Sequence, residues 1–367
     1  MQFLSSALGL YLLRNSAFGV AIAFAAVLAS ILLVDLVEEM RTIGARIDLP
    51  LLAASRLTLM KTPMLIEQTL PFIILAGVMI GVIRLNRTSE LTAMRASGVS
   101  AWRFLAPSTI GAALLGVLVI GGLNPIAARL FDAYEKAEAE LLAGTPQAPA
   151  QRNGVWIRQG DDNGQVVIQA RALDVQSARL TDATFFFYDY DGRDLKFARR
   201  IRAESADLRP GFWQLNTLVE VAVGEAPQRE AHLAIPTTLD PTELLDRFVN
   251  PATLSFWQLP RFISEARDAG LAPVRYEIKW QTQLAYPLML AAMAALGAVF
   301  SLRLHRMGGV AAWGAVGVGL GLLLYFLSQV AAAFAVTQAV PPLVAAWSAP
   351  LSGLFTALAI VAFTEDG

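Results

Sequence analysis

The sequence predicts a polytopic α-helical membrane protein with six transmembrane helices, arranged as three helices, an inserted β domain and three further helices. Of the 367 residues, 55% are hydrophobic and only 16% are charged, whereas soluble proteins carry about 25% charged residues. The apolar residues occur in long blocks rather than at a period of 2 or 3.6. Residues 129–280 change to a mixed composition, which predicts a separate water-soluble domain.

Residues 1–128 are expected to hold the first three spans. No charge occurs from residue 15 to 34, which is long enough for a helix to cross the hydrocarbon core. The second apolar run, 68–83, is shorter, so its helix is expected to begin near Thr62. The third run, 104–128, is again free of charge and returns the chain to the outer side.

The loop over residues 84–103, between spans two and three, carries four arginines and one carboxylate, Glu90. Short arginine-rich loops stay on the cytoplasmic side, because positive charge beside a spanning helix is not translocated. We expect a short helix over about 88–98, in which Ser89 is the N-cap and Gly98 the stop. The residues of interest are Arg87, Ser89, Glu90, Leu91, Met94, Arg95 and Gly98, with Leu91 and Met94 on one face. The loop is either an interfacial linker or a coupling helix docked on a cytosolic motor.

Residues 129–280 contain short strand-like runs separated by turn sequences such as Asp189-Tyr-Asp-Gly192 and Arg209-Pro-Gly211. Short strands at this spacing predict a sandwich or jelly roll rather than a βαβ fold. Trp156, Phe186 and Trp213 are candidates to line a groove for acyl chains, although core packing is the plainer role for each. A helix over 254–269 is expected to lead the chain back to the membrane.

Residues 281–367 are expected to hold the last three spans. Span four covers 281–302, and residues 307–364 carry no formal charge, which suffices for two spans that turn at Pro341-Pro342. Both termini are then cytoplasmic. In this topology the short cytoplasmic segments hold Arg14, the four loop arginines, Arg303 and Arg306, whereas the basic residues of the short outer loops are offset by acids.

Several kinds of chemistry are absent from the sequence. No Gly-x-x-x-x-Gly-Lys loop occurs, so the chain is not expected to hold ATP phosphates itself. There is no cysteine, and His232 and His305 fall on opposite sides of the membrane, which argues against a histidine metal site or general base. The net charge of −1 suggests no nucleic-acid partner. Glu67 is the acid nearest to a span interior, and we interpret it as a solvated or helix-capping residue.

Three basic residues, Arg41, Arg46 and Lys279, lie just outside the membrane beside expected helix ends. Each alone is explained by snorkelling, in which a long side chain reaches from the apolar region to water. Together they are candidates to bind an anionic amphiphile at the level of the outer leaflet.

These features resemble the LptF/LptG permeases of the lipopolysaccharide-export ABC transporter. The resemblance rests on Ser89-Glu-Leu-Thr-Ala-Met-Arg-Ala-Ser-Gly98, on Gly154-Val-Trp-Ile157, and on the order of spans and β domain over the whole chain. Four further segments favour the LptG branch over the LptF branch: Asn124-Pro125, Leu239-Asp-Pro241, Arg275-Tyr276 and Val340-Pro-Pro342.

The resemblance implies a half-transporter of the bacterial inner membrane that pairs with an LptF-type permease and sits on an LptB-type ATPase dimer. The ATPase would use ATP and Mg, and this chain would bind no cofactor. Lipopolysaccharide would enter from the outer leaflet beside spans one and five, and the periplasmic β-jellyroll would join LptC/LptA-type bridge proteins. Arg41 matches a basic position that contacts lipid phosphates in such proteins, whereas Asp35 and Thr42 stand where some relatives have lysine.

Spans one and five are expected to face the partner half and to open sideways to lipid, and Gly317 and Gly321 of span five would give a close but weakly held gate there. The alternative function is a membrane-anchored scaffold whose β domain binds a periplasmic protein without transporting anything. The glycine-rich span and the coupling-type loop favour transport, because a scaffold needs neither. A third possibility, an integral enzyme, would require a convergent set of acids, bases or metal ligands, which the sequence does not show.

Overall fold

The structure is a computed structural model that describes residues 7–45, 47, 49–142, 155–160, 164–174, 178–191, 194–222, 227–237, 239, 250–268, 272–303 and 310–365. The chain divides into two compact units. The first, which carries the long apolar helices, comprises Met1–Glu135, Leu254–Leu259 and Val274–Gly367. The second, which carries the sheet, comprises Lys136–Thr253 and Pro260–Pro273, so it begins later than the boundary at 129 expected from composition.

The described helices follow the expected order, with the sheet inserted between α5 and α6. They are α1 (Ala7–Thr42), α2 (Leu51–Arg87), α3 (Glu90–Ala96), α4 (Ala101–Leu118), α5 (Asn124–Leu142), α6 (Leu259–Asp268), α7 (Val274–Arg303), α8 (Val310–Val336) and α9 (Pro342–Glu365). A π-helical turn, Val119–Leu123, joins α4 to α5. Six helices in the described part of the chain are long and apolar enough to cross a membrane, which confirms the predicted arrangement of three plus three.

Two helices are longer than the apolar runs that predicted them. Helix α2 begins at Leu51 rather than near Thr62, because Ala54, Leu57 and Thr58 are buried and hold the extra turns against the rest of the unit. The third span continues beyond residue 128 as α5, in which Tyr134 is buried. A span predicted from hydropathy ends at the first charged residues, whereas the helix itself continues for as long as one of its faces is packed.

Helices α1 and α2 approach each other closely at three glycines. A Cβ atom on Gly19 would lie 2.1 Å from the carbonyl oxygen of Gly77, and one on Gly77 would lie 2.4 Å from the Cα of Val20. Gly81 meets the backbone of Asn15 in the same way, at 2.9 Å. Gly77 and Gly81, four residues apart on one face of α2, therefore permit the close packing of the two helices.

The long apolar helices differ in how much of their surface is covered by other residues of the first unit. Most of the apolar stretch of α7 is buried, whereas only a small part of the apolar stretches of α1 and α8 is buried. Exposed large apolar side chains on α8 include Val318, Leu322 and Phe326. Helices α1 and α8 are therefore the two spans with the largest surface available to lipid or to another chain.

The second unit contains a six-stranded antiparallel sheet in the order β1 to β6, so strands adjacent in sequence are adjacent in space. The strands are β1 (Val155–Gly160), β2 (Gly164–Asp174), β3 (Arg179–Asp191), β4 (Asp194–Arg209), β5 (Phe212–Ala222) and β6 (Gln228–Pro236). Alternate residues build one apolar core, in which Ile168, Phe185 and Ile201 lie side by side on neighbouring strands. The hydroxyl of Thr237, just after β6, donates to Gln159 Oε1 on β1 at 2.5 Å, so the sheet curls until its outer strands meet at this end. The predicted inserted β domain is confirmed.

Candidate functional site

The short helix α3 lies between spans two and three, where the sequence predicts it. Leu91 is fully buried, and Met94 packs beside it against the core of the helical unit, so these two residues do share the inner face. The helix ends at Ala96, and Gly98 follows it with a φ of +86°, the left-handed conformation of a Schellman stop. The backbone N–H of Val99 donates to the carbonyl of Met94, and that of Gly98 to the carbonyl of Arg95. The stop predicted at Gly98 is confirmed.

Ser89 occupies the N-cap position but does not cap the helix with its side chain. Its φ of 59° is left-handed, and no side-chain hydrogen bond to the first turn is formed. A capping serine needs an extended backbone to turn its hydroxyl towards the N2 or N3 amide. The capping role expected for Ser89 is therefore wrong, although the helix starts where it was expected.

Glu90 is the acid of this helix, and its partner lies in the first span. The Tyr11 hydroxyl donates to Glu90 Oε2 at 2.5 Å. This hydrogen bond, with a second from Thr88 and the nearby positive charge of Arg84, lowers the pKa of Glu90 below its usual value, against a smaller opposing effect of burial. The carboxylate is therefore held in its charged form at the surface of the unit.

The arginines around α3 stay at the surface. Arg87 and Arg95 are exposed, and the Arg84 guanidinium lies over the ring of Phe18, 4.6 Å from its centroid. The partner of Glu90 on the first span, Tyr11, is one that no sequence pattern indicated.

At the opposite end of α1, Arg41 stands on the exposed face of the helix. Its side chain is 77% exposed and makes an ion pair of 3.1 Å with Glu38. Exposed apolar residues continue this face towards the middle of the helix, namely Leu33, Val34, Val37 and Met40. The second predicted basic residue, Arg46, lies outside the described residues.

The other face of α1 at this end carries a buried charge cluster that sequence analysis missed. Lys61 Nζ lies 2.7 Å from Asp35 Oδ1 and 3.1 Å from Glu39 Oε1. The Tyr134 hydroxyl donates to the same Glu39 oxygen at 3.0 Å. The spacing of Asp35 and Glu39, one turn apart, was the available signal, because two acids on one helical face require a cation opposite them when buried.

Lys279 and Glu67 also have partners that the sequence did not predict. Glu67 accepts hydrogen bonds from Asn124 Nδ2, at 3.0 and 3.1 Å to its two oxygens, and is not a solvated acid. Lys279 Nζ donates to the carbonyl of Leu254 at 2.7 Å instead of reaching outwards. Asn124 accepts in turn from the backbone N–H of Phe256 at 2.8 Å. These contacts hold the chain returning from the sheet against spans two, three and four.

The glycines of span five pack inside the chain. A Cβ atom on Gly317 would lie 3.2 Å from the Phe300 side chain, and one on Gly321 would lie 2.6 Å from Leu75 Cδ2. Both glycines are buried by helices of the same unit. The expectation that these two residues form a gate towards a second chain is therefore corrected, and the exposed face of α8 is the opposite one.

Two of the three groove candidates in the sheet also lie on different faces. Trp213 is completely buried and packs edge to face with Phe185, with ring centroids 6.0 Å apart. Phe186 follows Phe185 directly along β3, so it points to the other face of the sheet. Trp156 lies in β1, and its side chain is outside the described part of the chain. Trp213 is thus a core residue, and it does not share a groove with Phe186.

No group of three or more His, Cys, Asp or Glu side chains within the described ranges is arranged to hold a metal ion. The features that stand out are α3, with an oriented and charged Glu90, and the exposed apolar face of α1 that ends at Arg41. The first is suited to docking a basic partner, and the second to contact with an anionic amphiphile.

Comparison with known proteins agrees with these features. The family model for "Lipopolysaccharide export system permease LptF/LptG" matches residues 10–364. Among curated proteins, the chain is similar to "Lipopolysaccharide export system permease protein LptG" of Escherichia coli strain K12, with 22% identity over 300 residues, 80% of this chain and 81% of the relative. The protein of the same description from Escherichia coli O6:H1 strain CFT073 gives the same identity and coverage.

Proposed function

Because the chain belongs to the lipopolysaccharide export system permease LptF/LptG family, we propose that it is the LptG-type half of an ATP-driven lipopolysaccharide extractor. In this proposal it pairs with an LptF-type permease on an LptB-type ATPase dimer, which uses ATP and Mg. Lipopolysaccharide leaves the outer leaflet of the inner membrane, and the periplasmic β domain passes it to LptC/LptA-type bridge proteins. Both termini and α3 are then cytoplasmic.

The observation that carries the proposal is the geometry of α3. Helix α3 is anchored on the spans through Leu91 and presents a charged carboxylate at its first residue. The chain has no phosphate-binding loop of its own, so the energy for transport must arrive through a surface of this kind. A basic group on the ATPase that binds Glu90 would link nucleotide hydrolysis to movement of spans two and three.

The substrate side of the proposal rests on α1. Lipopolysaccharide combines acyl chains with phosphates, and the exposed face of α1 combines apolar residues such as Val34 and Val37 with Arg41 at its outer end. An arginine can bind a phosphate through two parallel hydrogen bonds. The buried cluster of Asp35, Glu39 and Lys61 stays on the opposite face, so it leaves Arg41 as the basic group that this turn of α1 offers to the lipid.

The test is ATP-dependent release of lipopolysaccharide to a bridge protein from proteoliposomes that contain this chain, the partner permease and the ATPase. We expect Glu90→Arg to abolish release while the protein still inserts and assembles with the partner permease. Glu230→Arg, the same charge change at an exposed position of β6, is the matched control and should export normally.

Normal export by Glu90→Arg, with no change in the ATPase, would show that coupling occurs elsewhere. If no ATPase co-purifies with the wild-type chain while its β domain still binds a bridge protein, the alternative of a non-transporting scaffold is correct.

A further inference from the structure

The bond between Tyr11 and Glu90 joins two parts of the chain that are far apart in sequence. Tyr11 lies in the second turn of α1, and its partner, 79 residues later, opens α3. The Tyr11 side chain is 43% exposed, so burial alone does not explain its position. The hydroxyl reaches the carboxylate that the proposed function assigns to docking.

The packing of α1 fixes where the Tyr11 hydroxyl lies. Leu12, the next residue, is buried against α2 and its neighbours. One turn later, Asn15 Nδ2 donates to the carbonyl of Gly81 at 2.5 Å. At Gly19 and Gly77 the backbones of α1 and α2 then pack directly against each other. Tyr11 is therefore presented from a rigid helix pair rather than from a mobile loop.

A tyrosine is suited to orient a carboxylate without neutralising it. The phenol is uncharged and donates one hydrogen bond, whereas a carboxylate can accept about four. With Tyr11 on Oε2, lone pairs remain on Glu90 for a second donor. A lysine or arginine in the place of Tyr11 would instead compete with an incoming basic group for the charge.

We propose that Tyr11 is a positioning residue that holds the Glu90 carboxylate in the orientation required by a basic group of the ATPase. The inference rests on the proposed function and deepens it, because it places part of the docking site on the first span. A group that is already oriented loses less conformational freedom on binding, so the contact forms with higher affinity. The same bond makes α1 move with α3 when the ATPase moves the short helix.

The experiment is a double-mutant cycle on the complete chain, assembled with its partner permease in nanodiscs and titrated with the ATPase. Tyr11→Phe keeps the ring and removes only the hydroxyl. We expect it to weaken association by about 3- to 10-fold, as for loss of one hydrogen bond to a charged group that also preorganises it. In the Glu90→Gln background the same change should have less than about a twofold effect. Tyr325→Phe removes a phenol hydroxyl from α8 and is the control.

The pH dependence of association gives a second readout that a packing role would not change. Three groups lower the pKa of Glu90: Tyr11 from α1, then Thr88, and Arg84 from α2. Two further arginines of the same loop, Arg87 and Arg95, flank Glu90. Docking requires the charged carboxylate. The ATPase therefore binds above the pKa of Glu90, and binding is lost as the pH falls through that pKa. Without the hydroxyl the pKa of Glu90 rises towards its ordinary value, and Tyr11→Phe should lose the ATPase at a higher pH than the wild type.

Two outcomes would overturn the inference: equal loss of affinity from Tyr11→Phe in both backgrounds, which indicates packing, or no loss in either. An unshifted pH profile in Tyr11→Phe would also contradict it. Failure of the proposed function looks different, because Glu90→Gln and Glu90→Arg would then bind the ATPase as well as the wild type does.

Discussion

The buried cluster around Lys61 shows how strongly the effect of one charge depends on its surroundings. Lys61 balances Asp35 and Glu39, whose side chains are only 9% and 3% exposed. Lys61→Met leaves two carboxylates buried without a cation, and we expect it to destabilise the helical unit by roughly 3–5 kcal/mol. The measurement is the midpoint of thermal unfolding in detergent.

The matched control for Lys61 is Arg41, a cation at the same end of the unit whose ion pair with Glu38 is exposed. Arg41→Met should not change the unfolding midpoint measurably, because exposed ion pairs contribute little to stability. Equal midpoints for the two variants would mean that the Lys61 cluster does not stabilise the fold.

Arg41 belongs instead to the proposed contact with the lipid phosphates. Arg41→Glu replaces attraction by repulsion, so we expect lipopolysaccharide binding to weaken by about 10-fold, and by less for Arg41→Ala. Binding is measured with the purified complex in nanodiscs. Arg229→Glu, the same change at an exposed position of β6, is the control. Unaltered lipid binding by Arg41→Glu would remove this residue from the substrate site.

At the scale of elements, the pair of helices α1 and α2 depends on glycine at the contact. In Gly77→Ala the new methyl group would meet the backbone of Val20, which cannot move aside as a side chain can. We therefore expect the variant to separate α1 from α2, to lower the unfolding midpoint by several degrees and to weaken ATPase association, because Tyr11 moves away from Glu90.

Gly319→Ala is the control for that prediction. This glycine lies on the exposed face of α8 with no atom within 4 Å of its added Cβ, so alanine should be neutral or slightly stabilising in the helix. If Gly77→Ala behaves like Gly319→Ala, the close contact between α1 and α2 does not hold the pair together.

At the scale of the whole molecule, the proposed topology places α3 and the sheet on opposite sides of the membrane. The chain has no cysteine, so single cysteines can be introduced without background. Thr92→Cys on the exposed face of α3 should react with an impermeant maleimide only after cells are permeabilised. Arg229→Cys in β6 should react once the outer membrane alone is opened. Labelling of Thr92→Cys when the outer membrane alone is opened would contradict a cytoplasmic α3.

Much of the architecture could be predicted from the sequence because it depends on local patterns. The six spans follow from uninterrupted apolar length, and the β domain follows from short strand-like runs and turns. The short helix α3 follows from its arginine-rich flanks, its apolar pair and Gly98. The LptF/LptG resemblance was carried by the same residues, and the family match over 10–364 confirms it.

Only the tertiary structure decided which residues meet. Tyr11 and Glu90 are brought together by the packing of α1 on α2, and Lys61 faces Asp35 and Glu39 because both helices extend beyond the apolar runs. Gly317 packs on Phe300 of its own chain. The sequence could not predict this partner, because a small residue indicates that a close helix contact is possible but not with which helix. Composition and periodicity are properties of one segment, whereas a contact depends on how two segments lie, so the sequence by itself determined the elements and the fold determined their partners.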